Sequence, residues 1–374
     1  MKNIGIIGGG QLGKMIAISA KEMGNKTVVL DPNPDSPAFG VSDEKIIAEY
    51  DDLKACDMLV EKSDIITYEF ENIKLSSVQY IEKYRKVFPS SKVLSISQNR
   101  ILEKEFFENN KIPVAEFKLV NSEKDIIKFC ENFSFPVVIK TVTEGYDGKG
   151  QKIIKNFDDI SSSFTEISKS GKEIIIEKFI NFDKEVSVVC SRDLSGKITS
   201  FPISENIHVN HILDKSIVPA RISNILKNKI NILAEIIVNQ LELIGLICIE
   251  MFVLDDEIFI NEIAPRPHNS GHYTLDACDV SQFDQVVKIL LDFNTSKPKL
   301  LSPVVMFNLL GDIWFDNSNP NWNKALETPG SKLYLYGKHE PRVGRKMGHI
   351  NILNNSLDDA IKLSDSCRSS LYES

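Results

Sequence analysis

Two glutamates in neighbouring apolar segments have the residue type and spacing of a metal site. Glu250 lies within residues 248–252 and Glu262 within residues 259–263, both of strand-like composition. A three-residue turn between these segments would make Glu250 and Glu262 cross-strand partners, with Cβ atoms roughly 5 Å apart. At that distance two carboxylates repel by about 3 kcal/mol at an effective dielectric constant of 20. A bound cation would reverse the repulsion, and hard oxygen ligands favour Mg²⁺ beside nucleotide phosphates. The alternative is two solvated glutamates on an exposed sheet face.

Two glycine-rich segments could present backbone N–H groups to phosphates. Residues 8–13 (GGGQLG) follow a predicted strand and precede a predicted helix at 14–23, the arrangement of a dinucleotide-binding turn, with Asp31 in the position of the ribose ligand. Residues 145–151 (GYDGKGQ) lie between two predicted strands and therefore form a hairpin, which could fold over phosphates near Lys140. A turn used only for packing and a surface turn are the respective alternatives.

Two further segments combine polar and basic residues. Residues 261–272 (NEIAPRPHNSGH) end a strand in ligand-type residues, and Arg266 among them could hold an anion bidentately. The two histidines of this segment are four residues apart, but an intervening proline and glycine argue against a zinc-binding helix, so we expect hydrogen-bonding roles. Residues 342–349 (RVGRKMGH), with Lys338 before them, form a basic cluster that could bind a phosphate or remain a solvated charge run.

Length and composition predict an ordinary globular enzyme of two or three domains. The 374 residues are 42% hydrophobic and 26% charged, and the net charge of −8 argues against nucleic-acid binding. The six cysteines form no CxxC pair, so we expect reduced thiols and a cytoplasmic location. No segment approaches the ~20 apolar residues of a membrane span.

The predicted elements divide the chain into three parts. Residues 1–98 alternate strands and helices and predict an open parallel α/β domain. Residues 99–298 have runs of strands with interposed helices, at 100–110 and 230–243, and predict an α+β domain. Residues 299–374 predict a small β-rich domain with many turns.

The segments 8–13, 67–72 (TYEFEN), 145–151, 261–272 and 344–349 (GRKMGH), in this order, resemble the ATP-grasp superfamily, and within it the carboxylating ligases of purine biosynthesis. The resemblance spans nearly the whole chain. It implies an ATP-grasp fold with an N-terminal Rossmann-like (preATP-grasp) domain and a small C-terminal β-rich domain. It also implies carboxylation of 5-aminoimidazole ribonucleotide with bicarbonate through carboxyphosphate, with ATP and Mg²⁺ (or Mn²⁺), by a homodimer.

The resemblance further implies a set of site residues. Magnesium would be held by Glu250 and Glu262, and ATP by Arg100, Lys140, Gly145, Tyr146, Asp147, Gly148, Lys149, Gly150, Gln151, Glu177, Lys178, Phe179, Ile180, Glu185, His208, Asn261 and Glu262. The ribonucleotide would be held by Gln11, Leu12, Glu71, His268, Asn269, Ser270, Lys338, Arg345 and Lys346. The catalytic residues would be Asp147, Lys346, Arg266 and Tyr146, with Asp147 taking a proton from the amine.

Four alternative functions use parts of the same pattern. An NAD-dependent oxidoreductase would explain the first glycine turn, but it leaves the second glycine loop, the glutamate pair and the basic cluster without a role. A non-catalytic nucleotide-binding regulator would not need residues 145–151 to close over the phosphates as a lid, and it would not need proton-transfer residues. Biotin carboxylase and the formate-dependent glycinamide ribonucleotide transformylase are alternatives within the superfamily.

Overall fold

Four parallel strands in the order β3-β2-β1-β4 form the sheet of the N-terminal part. The computed structural model describes residues 1–145, 150–316 and 320–372, with residue 316 described by its backbone alone. The elements of this part are β1 (Asn3–Ile7), β2 (Lys26–Asp31), β3 (Glu44–Ile47), β4 (Ile65–Tyr68), α1 (Gln11–Glu22), α2 (Leu53–Lys62), α3 (Leu75–Glu82) and α4 (Ser91–Ser97). Ile6 packs into one apolar core and Ile7 into another, so the sheet is buried on both faces, as parallel sheets usually are.

Four antiparallel strands in the order β5-β8-β6-β7 form a second sheet. The elements are β5 (Phe117–Val120), β6 (Val137–Thr141), β7 (Gln151–Ile154), β8 (Ile174–Lys178), α5 (Arg100–Asn109), α6 (Glu123–Asn132) and α7 (Asp159–Ser168). Helix α5 has an unusual distribution of exposed and buried side chains. The apolar Leu102 is 44% exposed, whereas the ionisable Glu103 and Lys104 are each 1% exposed.

A third sheet has nine strands in the described part of the chain, in the order β14-β13-β9-β11-β12-β15-β17-β16, with β10 paired to β9. Its strands are β9 (Lys184–Arg192), β10 (Ile198–Ser200), β11 (Ser204–Val209), β12 (Ile212–Val218), β13 (Gly245–Leu254), β14 (Glu257–Ala264), β15 (Val304–Leu310), β16 (Ser331–Leu335) and β17 (Lys346–Leu353). The associated helices are α8 (Asn224–Gln240), α9 (Thr274–Ala277), α10 (Gln282–Leu290), α11 (Ile313–Asp316), α12 (Trp322–Leu326) and α13 (Leu357–Ser370). Because β12 pairs with β15, the C-terminal strands extend this sheet instead of forming a separate one.

Some element boundaries differ from the prediction because of local capping. Helix α1 begins at Gln11, three residues early, since Gly10 is already in the extended N-cap conformation. Helix α8 begins at Asn224, well before the predicted residue 230, since the Ser223 hydroxyl accepts a hydrogen bond from Leu226 N and caps the helix there.

The hairpin of β13 and β14 has the predicted glutamate pairing, but its loop length and register differ from the prediction. Its loop has two residues instead of the predicted three, because Leu254 pairs with Glu257. One extra residue on β14, Asn261, then forms a bulge that shifts the register. The two differences cancel, and the predicted pairing of Glu250 with Glu262 is confirmed.

All six cysteines are buried free thiols, in agreement with the absence of a disulfide framework in the sequence. Among the described residues, no helix has both the length and the apolar content needed to cross a bilayer.

Candidate active site

The three sheets surround one large cavity of about 1020 Å³. Most of the predicted site residues line it: Gln11, Leu12, Glu71, Arg100, Lys140, Gly145, Gln151, Glu177, Lys178, Phe179, Ile180, Glu185, His208, Glu250, Asn261, Glu262, Arg266, His268, Asn269 and Lys346. Tyr146, Asp147, Gly148 and Lys149 lie outside the described residues. Motifs that are far apart in the sequence therefore converge on one space that is large enough for two nucleotide-sized ligands.

The glutamate pair lies on the wall of this cavity, and each carboxylate has a basic partner. Glu262 Oε2 is 3.2 Å from Arg100 Nη1, and Glu250 Oε1 is 3.0 Å from His268 Nε2. Burial alone would raise the pKa of Glu250, but the neighbouring His268 lowers it to about 2 and keeps the carboxylate ionised. Cys248 Sγ lies in the same corner, and the ligand atoms of Cys248, Glu250 and His268 are within 4.8 Å of one another. Two carboxylates facing one cavity are a donor set that fits Mg²⁺.

A buried cluster of one acid and two bases lies beside the glutamate hairpin. Glu177 Oε2 is 2.9 Å from Lys140 Nζ and 3.6 Å from Lys104 Nζ, and all three side chains are buried. Burial would raise the pKa of Glu177, but the two ammonium groups lower it to about 2. The other oxygen, Oε1, is buried with no hydrogen-bond partner among the described residues. An unpaired buried acceptor on a cavity wall is suited to a ligand donor.

Lys104 and its neighbour Glu103 also line the cavity, and sequence reasoning missed both. Burial raises the pKa of Glu103 to about 8, although Lys104 opposes the rise. A signal was present in the sequence. Glu103 and Lys104 lie four and three residues before Phe107, so they share the helix face with which Phe107 packs into the core. Charged residues rarely occupy such a buried face without a partner.

Glu71 and Arg266 form an ion pair between the N-terminal part and the segment after β14. Arg266 Nη2 donates to Glu71 Oε1 at 2.8 Å, and Arg266 Nε donates to Glu71 Oε2. Burial would raise the pKa of Glu71, but the guanidinium lowers it. The bidentate anion contact expected of Arg266 is therefore made here with a carboxylate of the protein itself.

A second acid–base pair lies across strands β9 and β11. His208 Nδ1 is 2.6 Å from Glu185 Oε2. Burial lowers the pKa of His208, but the Glu185 carboxylate raises it by more, so the net pKa lies above its ordinary value. Both side chains line the cavity, where a protonated imidazole could contact an anionic ligand.

The N–H groups of the first glycine turn already have an acceptor, which is the carboxyl group of Glu69. Gly13 N donates to Glu69 Oε2 at 2.6 Å, and Gly10 N donates to Glu69 Oε1. Asp31, expected as a ribose ligand, accepts instead from Gly9 N at 2.7 Å. The N–H groups that would bind a dinucleotide pyrophosphate are thus occupied, and Tyr50 OH adds a further hydrogen bond to Asp31. This geometry contradicts the NAD-dependent oxidoreductase alternative.

Four predicted site residues are not among the described residues that line the cavity: Gly150, Ser270, Lys338 and Arg345. Ser270 is fully buried, and in this conformation its hydroxyl contacts Ser187 Oγ at 2.7 Å and His268 Nδ1 at 2.8 Å. Lys338 Nζ donates to Lys346 O at 2.8 Å, and Arg345 Nη1 donates to a backbone carbonyl at 2.6 Å. In this conformation both basic side chains bond to backbone carbonyls in and beside the basic segment instead of lining the cavity.

Three family models together match most of the chain. The ribonucleotide synthetase preATP-grasp domain matches residues 1–98, the ATP-grasp domain matches residues 105–283, and the phosphoribosylaminoimidazole carboxylase C-terminal domain matches residues 304–363. Each model thus matches one part of the structure: the N-terminal parallel sheet, the cavity-forming sheets or the C-terminal strands. The predicted ATP-grasp fold class is confirmed.

Relatives match over nearly their full length. N5-carboxyaminoimidazole ribonucleotide synthase of Bacillus subtilis (strain 168) is 42% identical over 361 residues, which cover 96% of this chain and 93% of the relative. The crystal structure of N5-carboxyaminoimidazole synthetase from Staphylococcus aureus complexed with ADP superposes with a TM-score of 0.92 at 40% identity, covering 98% of this chain and 96% of that chain. The synthase from Aspergillus clavatus in complex with ADP and 5-aminoimidazole ribonucleotide has a TM-score of 0.91 at 27% identity, covering 100% and 99%. The chain therefore belongs to the N5-carboxyaminoimidazole ribonucleotide synthase family of the ATP-grasp superfamily.

Proposed function

We propose that this chain is an ATP-dependent carbon–nitrogen ligase of purine biosynthesis. It carboxylates the exocyclic amine of 5-aminoimidazole ribonucleotide with bicarbonate and releases ADP and phosphate. The observation that carries the proposal is the cavity at which the Glu250–Glu262 pair, a buried lysine pair and the basic residue Lys346 converge. The family membership and the ADP and 5-aminoimidazole ribonucleotide complexes of its relatives support it.

The first step is attack of a bicarbonate oxygen on the γ-phosphorus of ATP. The bond from that phosphorus to the bridging oxygen of ADP breaks, and carboxyphosphate forms. Such a transfer depends on positioning and charge neutralisation more than on a protein nucleophile. Lys140 and Arg100 face the cavity with the charge required to contact phosphates. When bound, Mg²⁺ would be held by Glu250 and Glu262 and would neutralise phosphate charge.

The nucleotide base has a matching position at the end of β8. Residues 177–180 line the cavity there, and we propose that their main-chain groups bind the edge of adenine. The unpaired Oε1 of Glu177 could accept a hydrogen bond from the adenine amino group. Glu185 and His208 lie further along the wall, where they are placed for the ribose and the phosphates.

The second step joins the carboxyl carbon to the ribonucleotide amine. The amine attacks the carboxyl carbon of carboxyphosphate, or of the CO₂ released from it, and phosphate leaves with the electron pair of the broken bond. Asp147 of the predicted lid takes the amine proton, and the lid excludes the water that would hydrolyse carboxyphosphate. Gln11, Asn269 and Lys346 line the side of the cavity assigned to the ribonucleotide, and we place Arg266 near the carboxyphosphate.

ADP release with each substrate omitted in turn tests the proposal. We expect release to require 5-aminoimidazole ribonucleotide and bicarbonate together, with the N5-carboxylated product formed in equal amount. Release that needs formate instead of bicarbonate would assign the formate-dependent alternative. Release that is independent of the ribonucleotide would refute the proposal.

Two further properties belong to the same proposal. We propose a homodimer, supported by the family resemblance, and sedimentation analysis at several concentrations tests it. We propose a cytoplasmic location, supported by six free thiols with no disulfide. A monomer throughout the concentration range would refute the first.

A further inference from the structure

The bulge at Asn261 determines which face of β14 carries Glu262. Side chains alternate between the two faces of a strand, so one added residue exchanges the faces of all residues beyond it. Ile258, Ile260 and Ile263 all belong to the same apolar core, although their spacing changes from two residues to three across the bulge. Without the bulge, Glu262 would point into that core and Ile263 would point toward the cavity.

The bulge also leaves backbone groups to be satisfied, because β14 is an edge strand of the third sheet. Asn261 O accepts a hydrogen bond from Lys104 Nζ at 3.0 Å, and Ile263 N donates to Glu103 Oε1 at 2.8 Å. Unpaired buried backbone groups cost about as much as a lost hydrogen bond. Adjacent residues of α5 therefore hold the backbone on both sides of Glu262.

Helix α5 holds the Glu262 side chain as well. Arg100 lies three and four residues before Glu103 and Lys104, a spacing that places the three side chains on one helix face. Arg100 Nη1 is 3.2 Å from Glu262 Oε2. One helix face thus contacts the carboxylate of Glu262 and the backbone groups that flank it.

A bulge with only a structural role would not require two buried ionisable side chains to bond its backbone groups. Glu103 and Lys104 are each 1% exposed, and burial of an ionisable side chain is expensive unless its polar atoms are hydrogen-bonded or paired. Neutral side chains or water could satisfy the same carbonyl and N–H groups. Lys104 also lies 3.6 Å from Glu177, so the hairpin is joined through it to the second sheet.

We propose that Glu103 and Lys104 are positioning residues of the carboxylation reaction. They hold the bulge, and through it the Glu262 carboxylate, at the cavity wall. The inference rests on the proposed function, because that function gives the position of Glu262 its importance.

Replacements that remove one backbone contact each test the proposal. Glu103→Met and Lys104→Met retain much of the side-chain volume but abolish the bonds to Ile263 N and Asn261 O, whereas Glu103→Gln keeps an acceptor oxygen. We expect the methionine variants to lower kcat for ribonucleotide-dependent ADP release by roughly tenfold to a hundredfold, the cost of misplacing catalytic groups by about 1 Å. We also expect a higher Mg²⁺ concentration for half-maximal rate, little change in KM for the ribonucleotide, and recovery of most of kcat in Glu103→Gln.

A buried acid elsewhere gives the matched control. Asp193 is 3% exposed and accepts from Thr295 Oγ1 at 2.7 Å, and it is not among the described residues that line the cavity. Asp193→Asn should lower the thermal midpoint and leave the Mg²⁺ dependence unaltered. If the methionine variants behave in the same way, with unchanged kcat and Mg²⁺ dependence, the positioning role is refuted.

Equilibrium binding separates this inference from the proposed function. If the wild-type chain shows no ribonucleotide-dependent ADP release, the proposed function fails. Calorimetric titration with ADP and Mg²⁺ then tests the positioning role. Weaker Mg²⁺-dependent ADP binding by the methionine variants supports the role, and unchanged ADP binding refutes it. Glu103→Ala serves in place of Glu103→Met if that variant does not fold, with the same expected and refuting results.

Discussion

Replacement of Glu177 by glutamine should destabilise the protein by about 3 kcal/mol at pH 7. The carboxylate of Glu177 is the shared partner of two buried ammonium groups, at 2.9 Å from Lys140 and 3.6 Å from Lys104. Its pKa falls from the ordinary 4.5 to about 2, and at about 1.4 kcal/mol for each pKa unit this difference corresponds to about 3 kcal/mol. Breaking a buried ion pair by removing one partner costs about 3–5 kcal/mol, in agreement with that value.

The pH dependence of this effect has a defined sign. The pKa of Glu177 is lower in the folded than in the unfolded protein, so its stabilisation is fully present above about pH 4.5. The stabilisation is lost as the pH falls from there through about 2. The difference between the wild type and Glu177→Gln should therefore be constant between about pH 5 and pH 8 and should shrink in more acidic solution.

Urea unfolding followed by circular dichroism measures the difference, at pH 7 and at several pH values below 4.5. Glu116→Gln is the matched control, because Glu116 pairs with Lys178 at 3.6 Å on the surface of the same sheet. An exposed pair of this kind is worth about 0–1 kcal/mol. A loss below about 1 kcal/mol in Glu177→Gln at pH 7, or a loss that persists undiminished in acid, would show that the cluster is not held by the charge of Glu177.

Three other predictions test the site. Glu262→Gln should lower Mg²⁺-dependent ATP turnover by about 100-fold while the circular dichroism spectrum is unchanged. The control is Glu257→Gln, on the exposed end of the same hairpin, which should turn over ATP normally. Normal turnover in Glu262→Gln would refute the proposed metal site. Asp147→Asn should reduce formation of the carboxylated product more than it changes the KM for ATP, and unaltered product formation would remove Asp147 from the mechanism. Glu69→Ala should destabilise the protein in urea by about 2–4 kcal/mol, because two glycine N–H groups lose their acceptor, and it should not create NADH binding measurable by fluorescence. Full stability of Glu69→Ala, or NADH binding by the wild type, would contradict the assignment of that turn.

The sequence was sufficient for the fold class and for most of the predicted site residues, which line the cavity, since specific motifs indicated both. It was not sufficient for contacts that depend on tertiary structure. The hairpin loop was predicted one residue too long, and the pairing of Glu250 with Glu262 was nevertheless correct because a bulge at Asn261 compensates. The glycine turn was recognised, but the acceptor for its N–H groups is the side chain of Glu69, which is close to the turn only through the pairing of β1 with β4.

Buried charges were the least predictable part of the site. Lys104 and Glu103 lie on a helix where solvent exposure is the usual state of such side chains, and only the partners on β8 and β14 explain their burial. The family resemblance assigned Ser270 to the ribonucleotide site. Its orientation toward Ser187 and His268 became evident only from the structure.

The pairing of β12 with β15 has a consequence for biosynthesis of the chain. Strand β15 starts at Val304 and covers the edge of β12, which ends at Val218, so a nascent chain released near residue 300 would present an open row of N–H and C=O groups. We infer that a fragment truncated before Val304 is prone to edge-to-edge aggregation on the ribosome and after release. Co-translational folding of the nucleotide-binding region therefore finishes only after β15 (Val304–Leu310) has emerged.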